Sequence, residues 1–274
     1  MAELPVAEVR AERDGAALRL ILDAQERGNS LDAAMLARLA ELLGEAAADP
    51  EVRVVVLEGA GTRSFSTGYH VPSLLAELER GPSVSDFEDH PLERALRALE
   101  ALPQPSVAVV RGNAYGAGCE LALATDLRLA ARDARFCMPP ARLGVLYSAT
   151  GTRRLLELVG PALTRELLFT ACVVDAERAL AIGLVNRLAA PEALDGAARG
   201  LIGEIEANAP LSLRHHKTIL SRFLAAAPLD QQTLTEVAQL REECFRSPEF
   251  ARRAARLAGR GGPPREPESG GRSA

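Results

Sequence analysis

The chain has 274 residues, 47% hydrophobic and 25% charged, which is the profile of a globular protein with ample material for a core. Its 32 Lys and Arg against 37 Asp and Glu leave a net charge of −5, which argues against broad attraction to nucleic acid or to an anionic membrane surface. No run of about 18 uncharged apolar residues occurs, so no membrane span is expected.

In chain order, residues 6–13 and 17–22 read as two strands joined by a hairpin turn at Asp14-Gly15. Leu31, Met35, Leu36, Leu39, Leu42 and Leu43 then repeat at helical spacing, with Ser30 or Asp32 available as the cap. Residues 52–57 are almost wholly apolar, the pattern of a strand covered on both faces, and a Gly/Ser/Thr-rich loop follows over 59–68. Residues 92–102 predict a helix and 106–110 another buried strand. A Gly-rich turn then leads to an apolar helix around 119–124, and 127–130 is strand-like again. Strand, Gly-rich turn and helix thus recur, which predicts an α/β core with parallel strands. From about Thr152 onward the pattern predicts helices only, over 155–168, 176–182, 192–207, 211–226 and 231–245. Residues 261–274 are Gly, Pro, Ser and Arg with almost nothing apolar, a disordered composition.

The opening Met1-Ala2-Glu3-Leu4-Pro5 has no basic stretch followed by an apolar run. Cys119, Cys137, Cys172 and Cys244 lie far apart without C-x-x-C spacing, and His215 and His216 are adjacent instead of one helical turn apart. A reducing, cytoplasmic setting without disulfides or metal is the expectation.

Two loops offer backbone amides where chemistry could use them. One is Arg63-Ser64-Phe65-Ser66-Thr67-Gly68-Tyr69-His70; the other runs from Gly112 through Gly116-Ala117-Gly118 to Glu120. In the second, small residues open a helix, whose free N–H groups and positive dipole end would hold a substrate oxyanion. The competing reading is a tight strand-to-helix turn with no ligand. The glycines do not fit dinucleotide binding, because Gly112, Gly116 and Gly118 miss the G-x-G-x-x-G register, and no P-loop or G-x-S-x-G elbow occurs. Glu120 sits in the first turn of an otherwise apolar helix. It is either a surface acid compensating the dipole or a buried base aimed at the mouth of the turn.

These two loops, the Asn29-Ser30-Leu31 step, the Leu143-Gly144-Val145 run and the Ala181-Ile182-Gly183-Leu184-Val185 run together resemble the crotonase (enoyl-CoA hydratase/isomerase) superfamily over about residues 5–258. The resemblance implies a β-β-α superhelix core over 1–200, a helical region over 201–260 used in trimer or double-trimer assembly, and the tail over 261–274. It implies an acyl-CoA thioester as substrate, with coenzyme A part of that substrate and no separate cofactor. It also implies an oxyanion hole formed by the backbone N–H groups of Thr67 and Ala117. Glu120 then matches the first glutamate of the hydratases, and Ser66, Gly68, Tyr69, Gly116 and Pro140 are expected beside the substrate.

Pro140 is also the departure, because it stands where hydratases carry a second glutamate, and proline can neither donate nor accept a proton. The methylmalonyl-CoA decarboxylase branch is similar through Phe136-Cys137-Met138-Pro139-Pro140 and through Leu143-Gly144-Val145-Leu146-Tyr147, its tyrosine matching Tyr147. Its histidine matches Tyr69, with His70 one place along. The expected chemistry is therefore enolate stabilisation with one glutamate, favouring decarboxylation of a malonyl-type acyl-CoA, with Tyr147 and His70 as further catalytic candidates. Hydration by Glu120 alone and a non-catalytic acyl-CoA binder are the alternatives.

Overall fold

The structure is a computed structural model and describes residues 7–79, 90–224 and 231–258. The chain opens with an antiparallel hairpin of β1 (Glu8–Asp14) and β2 (Ala17–Asp23), turned at Gly15 with φ +60°. Helix α1 (Ala33–Ala48) follows, capped by Asp32, whose carboxylate accepts from Met35 N at 3.0 Å. Next come β3 (Val54–Gly59), β4 (Ser64–Ser66), α2 (Val71–Glu79) and α3 (Pro91–Ala101). Then come β5 (Ser106–Val110), β6 (Asn113–Tyr115) and α4 (Ala117–Ala124), followed by β7 (Leu127–Ala131), β8 (Arg135–Cys137) and α5 (Pro140–Leu143). After the opening hairpin and α1, two strands and then helix occur three times more.

The first strand of each repeat joins a six-stranded sheet and the second joins a four-stranded one. The larger sheet has the order β1-β2-β3-β5-β7, parallel from β2 onward, and closes on β10 (Arg187–Ala189). The smaller has the order β4-β6-β8 and ends on β9 (Val173–Asp175), which pairs antiparallel with β8. These two strands correct the expectation of an all-helical last third. Each is three residues long, too short to display a period of two between helical stretches.

The remaining helices are α6 (Ala149–Thr170), α7 (Ala176–Ala181), α8 (Leu194–Glu206), α9 (Pro210–Leu224), α10 (Gln231–Arg246) and α11 (Pro248–Ala258). α6 breaks at Gly160, φ +74°, just before Pro161. Among the described residues no helix is long and apolar enough to cross a membrane. The expected tail at 261–274 lies outside the described residues.

The apolar run in β3 is explained by its two coverings. Val55 and Leu57 face a core shared with Leu36, Leu39, Leu96 and Leu99 of α1 and α3, while Val54 and Val56 face Leu194, Leu201 and Ile205 of α8. Burying both faces removes the alternation that would otherwise mark a strand.

One buried side chain ties the N-terminal segment to the loop after β3. Asn29 adopts φ +56°, a region asparagine tolerates better than most residues. Its Oδ1 accepts from Ala24 N at 3.0 Å, and its Nδ2 donates to Ala60 O at 2.9 Å and Ser64 O at 2.8 Å. Asn29→Ala removes all three bonds and leaves buried backbone groups unpaired, so it is expected to cost about 2–4 kcal/mol in urea denaturation. A loss within about 0.5 kcal/mol would show that these bonds do not hold the loop.

Candidate active site

Parallel pairing of β4 with β6 brings the ends of the two sequence-flagged loops together. Contact between them is backbone on backbone. A Cβ on Gly68, φ +96°, would lie 2.7 Å from Tyr115 O and 3.4 Å from Ala117 N, and one on Gly118 would lie 2.5 Å from Ser66 Cβ. Glycine at 68 and 118 is therefore a steric requirement of the site.

The amide directions follow from local pairing. Thr67 N donates to Gly28 O at 3.0 Å, so this N–H is already engaged and the oxyanion role expected for Thr67 is corrected. Leu31 forms a parallel bridge with Tyr69: Leu31 N donates to Gly68 O at 2.8 Å and His70 N donates to Leu31 O at 2.7 Å. Successive residues of an extended segment direct their amides to opposite sides. The Tyr69 N–H therefore faces away from Leu31, on the side where residues 115–117 run. Ala117 is the first residue of α4, where an N–H has no intrahelical acceptor, and Gly116, φ +51°, turns the chain into that helix.

Glu120 is the fourth residue of α4, and helical side chains tilt toward their N-terminus, so its carboxyl lies toward the mouth of the turn. It is 3% exposed. Burial above all, reinforced by the negative charge of Glu93, pushes its pKa up to about 7 against the pull of Arg154 and a hydrogen bond from Tyr147. Of the two readings open in the sequence, the buried acid is the one observed. Ser148 Oγ donates to Glu120 Oε1 at 3.1 Å, and Arg154 Nη1 stands 3.6 Å from the same oxygen. The Tyr147 hydroxyl also reaches Met138 Sδ at 3.8 Å, and burial beside the Glu120 charge holds its own pKa well above the usual phenol value.

Other expected site residues separate into wall, support and bystander. The Tyr69 hydroxyl donates to Glu77 Oε1 at 2.7 Å, and its ring tilts against His90 with centroids 5.3 Å apart. His70 Nδ1 bonds Ser73 Oγ at 2.9 Å, and burial and the charge of Arg27 lower its pKa. The charges acting on His70 are those of Arg27 and Asp32, and its hydrogen bond goes to Ser73. Ser66 is fully buried, with its Oγ accepting from Gly68 N at 3.2 Å, which makes it a support and not a substrate contact. Pro139 stands beside Gly116, and Pro140 opens α5 as its first residue, the helical position that suits proline.

Sequence reasoning missed Glu93, Ser148 and Thr150. Ser148 caps α6 by accepting from Gly151 N at 2.9 Å, a signal present in the Ser-x-x-Gly spacing. Glu93, buried on α3, carried no sequence signal, because an acid in the first turn of a helix is ordinary. Arg154 is buried and donates to Glu100 Oε1 at 2.9 and 2.6 Å. Among the described residues no cluster of His, Cys, Asp and Glu could hold a metal.

A carboxyl whose pKa is raised by folding adds stability that is complete below its unfolded value of 4.5 and is lost as pH climbs through about 7. The difference amounts to about 3 kcal/mol. Glu120→Gln is expected to flatten unfolding free energy between about pH 5 and about pH 8, read by denaturant titration; an unchanged slope would assign that loss to other groups.

Comparison with known proteins fits this geometry. Residues 12–254 match the sequence model of the enoyl-CoA hydratase/isomerase family. A short-chain-enoyl-CoA hydratase of Clostridium acetobutylicum is 33% identical over 215 residues, 77% of this chain and 80% of that protein. A carnitinyl-CoA dehydratase of Citrobacter koseri is 36% identical over 219 residues, 80% of this chain and 82% of that one. Among solved structures, a methylmalonyl-CoA decarboxylase in complex with 2-nitronate-propionyl-CoA superposes with a TM-score of 0.83 at 25% identity, covering 92% of this chain and 95% of its own. On the extent of the match and the closeness of the superposition, the chain belongs to the enoyl-CoA hydratase/isomerase family.

Proposed function

We propose that the protein is a lyase that stabilises a thioester enolate with one buried carboxyl, and that its reaction is decarboxylation of a malonyl-type acyl-CoA. The observation that carries this reading is Glu120, a buried acid of pKa about 7 at the helix mouth, with proline at 139 and 140 in place of a second acid. The thioester oxygen would sit between the N–H groups of Tyr69 and Ala117, the pair supported by backbone pairing and by the tight approach of Gly68 to Ala117 N. Developing negative charge is held there by fixed dipoles away from water.

Loss of carbon dioxide breaks the bond between C2 and the carboxylate, and its electron pair passes into the enolate. That step needs no base. The Glu120 carboxyl, about half protonated near neutrality, then gives its proton to C2 and leaves the saturated acyl-CoA. A neutral Glu120 also admits the substrate's carboxylate without like-charge repulsion. Tyr147 would wall the acyl group beside Glu120. The reading needs no prosthetic group beyond the coenzyme A of the substrate and puts the enzyme in the cytoplasm.

Hydration is the second reading, favoured by the names of the relatives from Clostridium acetobutylicum and Citrobacter koseri. There Glu120 alone would take a proton from water attacking C3 and return it to C2. Incubation with methylmalonyl-CoA and with crotonyl-CoA, with products read by mass, separates the two. Decarboxylated product is expected from the first; turnover of crotonyl-CoA alone would replace decarboxylation with hydration, and tight binding without turnover of either would leave an acyl-CoA binder. Glu120→Gln is expected to lower decarboxylation on the order of tenfold to a hundredfold and to abolish hydration. Ala117→Pro deletes one amide proton at a helix position that accepts proline, and is expected to lower kcat by about 10²–10³ with the fold retained. Wild-type kcat in that variant would place the oxyanion elsewhere.

We also propose assembly as a homotrimer or a pair of trimers. α9 presents Leu211, Leu220 and Phe223 at 65%, 61% and 73% exposure, more apolar surface than an isolated helix face ordinarily leaves in water. Light scattering on the eluted protein is expected to give three or six chains per particle, and a monomer would overturn the assembly.

A further inference from the structure

Glu93 is a buried acid that the reaction above does not use. It lies on α3 at 7% exposure, and its Oε2 accepts from Thr150 Oγ1 at 2.8 Å. Thr150 Oγ1 is 3.2 Å from Ser148 Oγ, which is in turn 3.1 Å from Glu120 Oε1. Two carboxyls from different helices are thus joined through two hydroxyls, each contact within hydrogen-bond distance.

Counting protons along this line shows what state completes it. Each hydroxyl has one proton to give. With both carboxylates ionised, Thr150 donates to Glu93 and Ser148 donates to Glu120, so no proton lies between the two hydroxyl oxygens. With one proton on Glu93, its O–H donates to Thr150, Thr150 to Ser148 and Ser148 to Glu120, and every link is filled. Shifting each proton one place along leaves Glu93 ionised and Glu120 protonated. No atom is gained or lost, and the charge moves from one end to the other.

We infer that Glu93 is a positioning residue that shares one proton with Glu120 through Thr150 and Ser148 and reloads Glu120 after proton transfer to the enolate, solvent returning one proton to Glu93 in each cycle. The inference rests on the single-carboxyl reading above, since reloading has meaning only if Glu120 delivers a proton. It supplies from α3 what proline at 140 cannot supply. The groups facing Glu120 are Glu93 of α3, Tyr147 just before α6, Arg154 of α6, Arg241 of α10 and the thiol of its neighbour Cys119. Glu93 lies in turn within the field of His90 at the start of α3. The pKa of Glu120 is raised first by burial and next by the negative charge of Glu93.

Thr150→Ala and Thr150→Ser test the link without touching either carboxyl. With the turned-over acyl-CoA, Thr150→Ala is expected to leave KM within about twofold, to lower kcat on the order of tenfold and to steepen its fall above neutrality; Thr150→Ser is expected to restore both. A wild-type kcat and pH profile in Thr150→Ala would overturn the inference, as would a Thr150→Ser enzyme as slow as the alanine variant. Infrared titration of the protonated carboxyl band gives a readout that needs no turnover. Glu93→Gln is expected to move the Glu120 midpoint down toward the ordinary carboxyl range. An unmoved midpoint overturns the sharing, even if the acyl-CoA reading itself has failed.

Discussion

The close approach of two backbones, at Gly68 and Ala117, is the constraint on which the site depends. Neither strand end could come so near the other with a side chain at 68, and the helix could not start where it does with one at 118. Everything that defines the site is measured from that contact: the direction of the Tyr69 amide, the free first turn of α4 and the inward tilt of Glu120. The register is set from outside by the parallel pairing of β4 with β6 and by the bridge of Leu31 to Tyr69. Strands too short to be recognised by pattern therefore decide where chemistry can occur.

A second principle is the handling of one buried acid. An ionised carboxyl in an apolar helix is costly unless partners offset it. Around Glu120 the offsets are partial: the hydroxyls of Ser148 and Tyr147 and a guanidinium held chiefly by Glu100, with another acid two hydroxyls away acting against them. The surroundings stop short of fixing the charge, and so leave the group near its point of half-protonation at neutral pH. Full pairing with Arg154 would have made it an inert anion.

Periodicity made most of the scaffold legible. The six-residue apolar run ending in β3, the strand at 106–110 and the helix capped by Asp32 lay where the sequence placed them, the two strands as short unbroken apolar runs and the helix by its period. β4, β6, β9 and β10 escaped because three residues show no period. The acid at 120 and the two loops were legible as chemistry, but the donor amide was assigned to Thr67, whose N–H is taken by Gly28. Amide direction depends on a bridge between Leu31 and Tyr69, and sequence spacing contains no trace of that pairing. Glu93 and Thr150 stayed hidden for a related reason: they are 57 residues apart and meet only through the packing of α3 against the start of α6.

Gly151 lies where a Cβ would collide with Glu120 Oε1, Tyr147 Cε1 and Ser148 Oγ at once. The acid's oxygen, the aromatic wall and the hydroxyl it bonds thus crowd around a single hydrogen atom. One methyl group at this position would unseat all three without touching the backbone contact of Gly68 with Ala117. On the proposed function, loss of proton transfer and retention of ligand grip would therefore be separable by a single codon, and an evolutionary path from catalyst to carrier would run through that glycine.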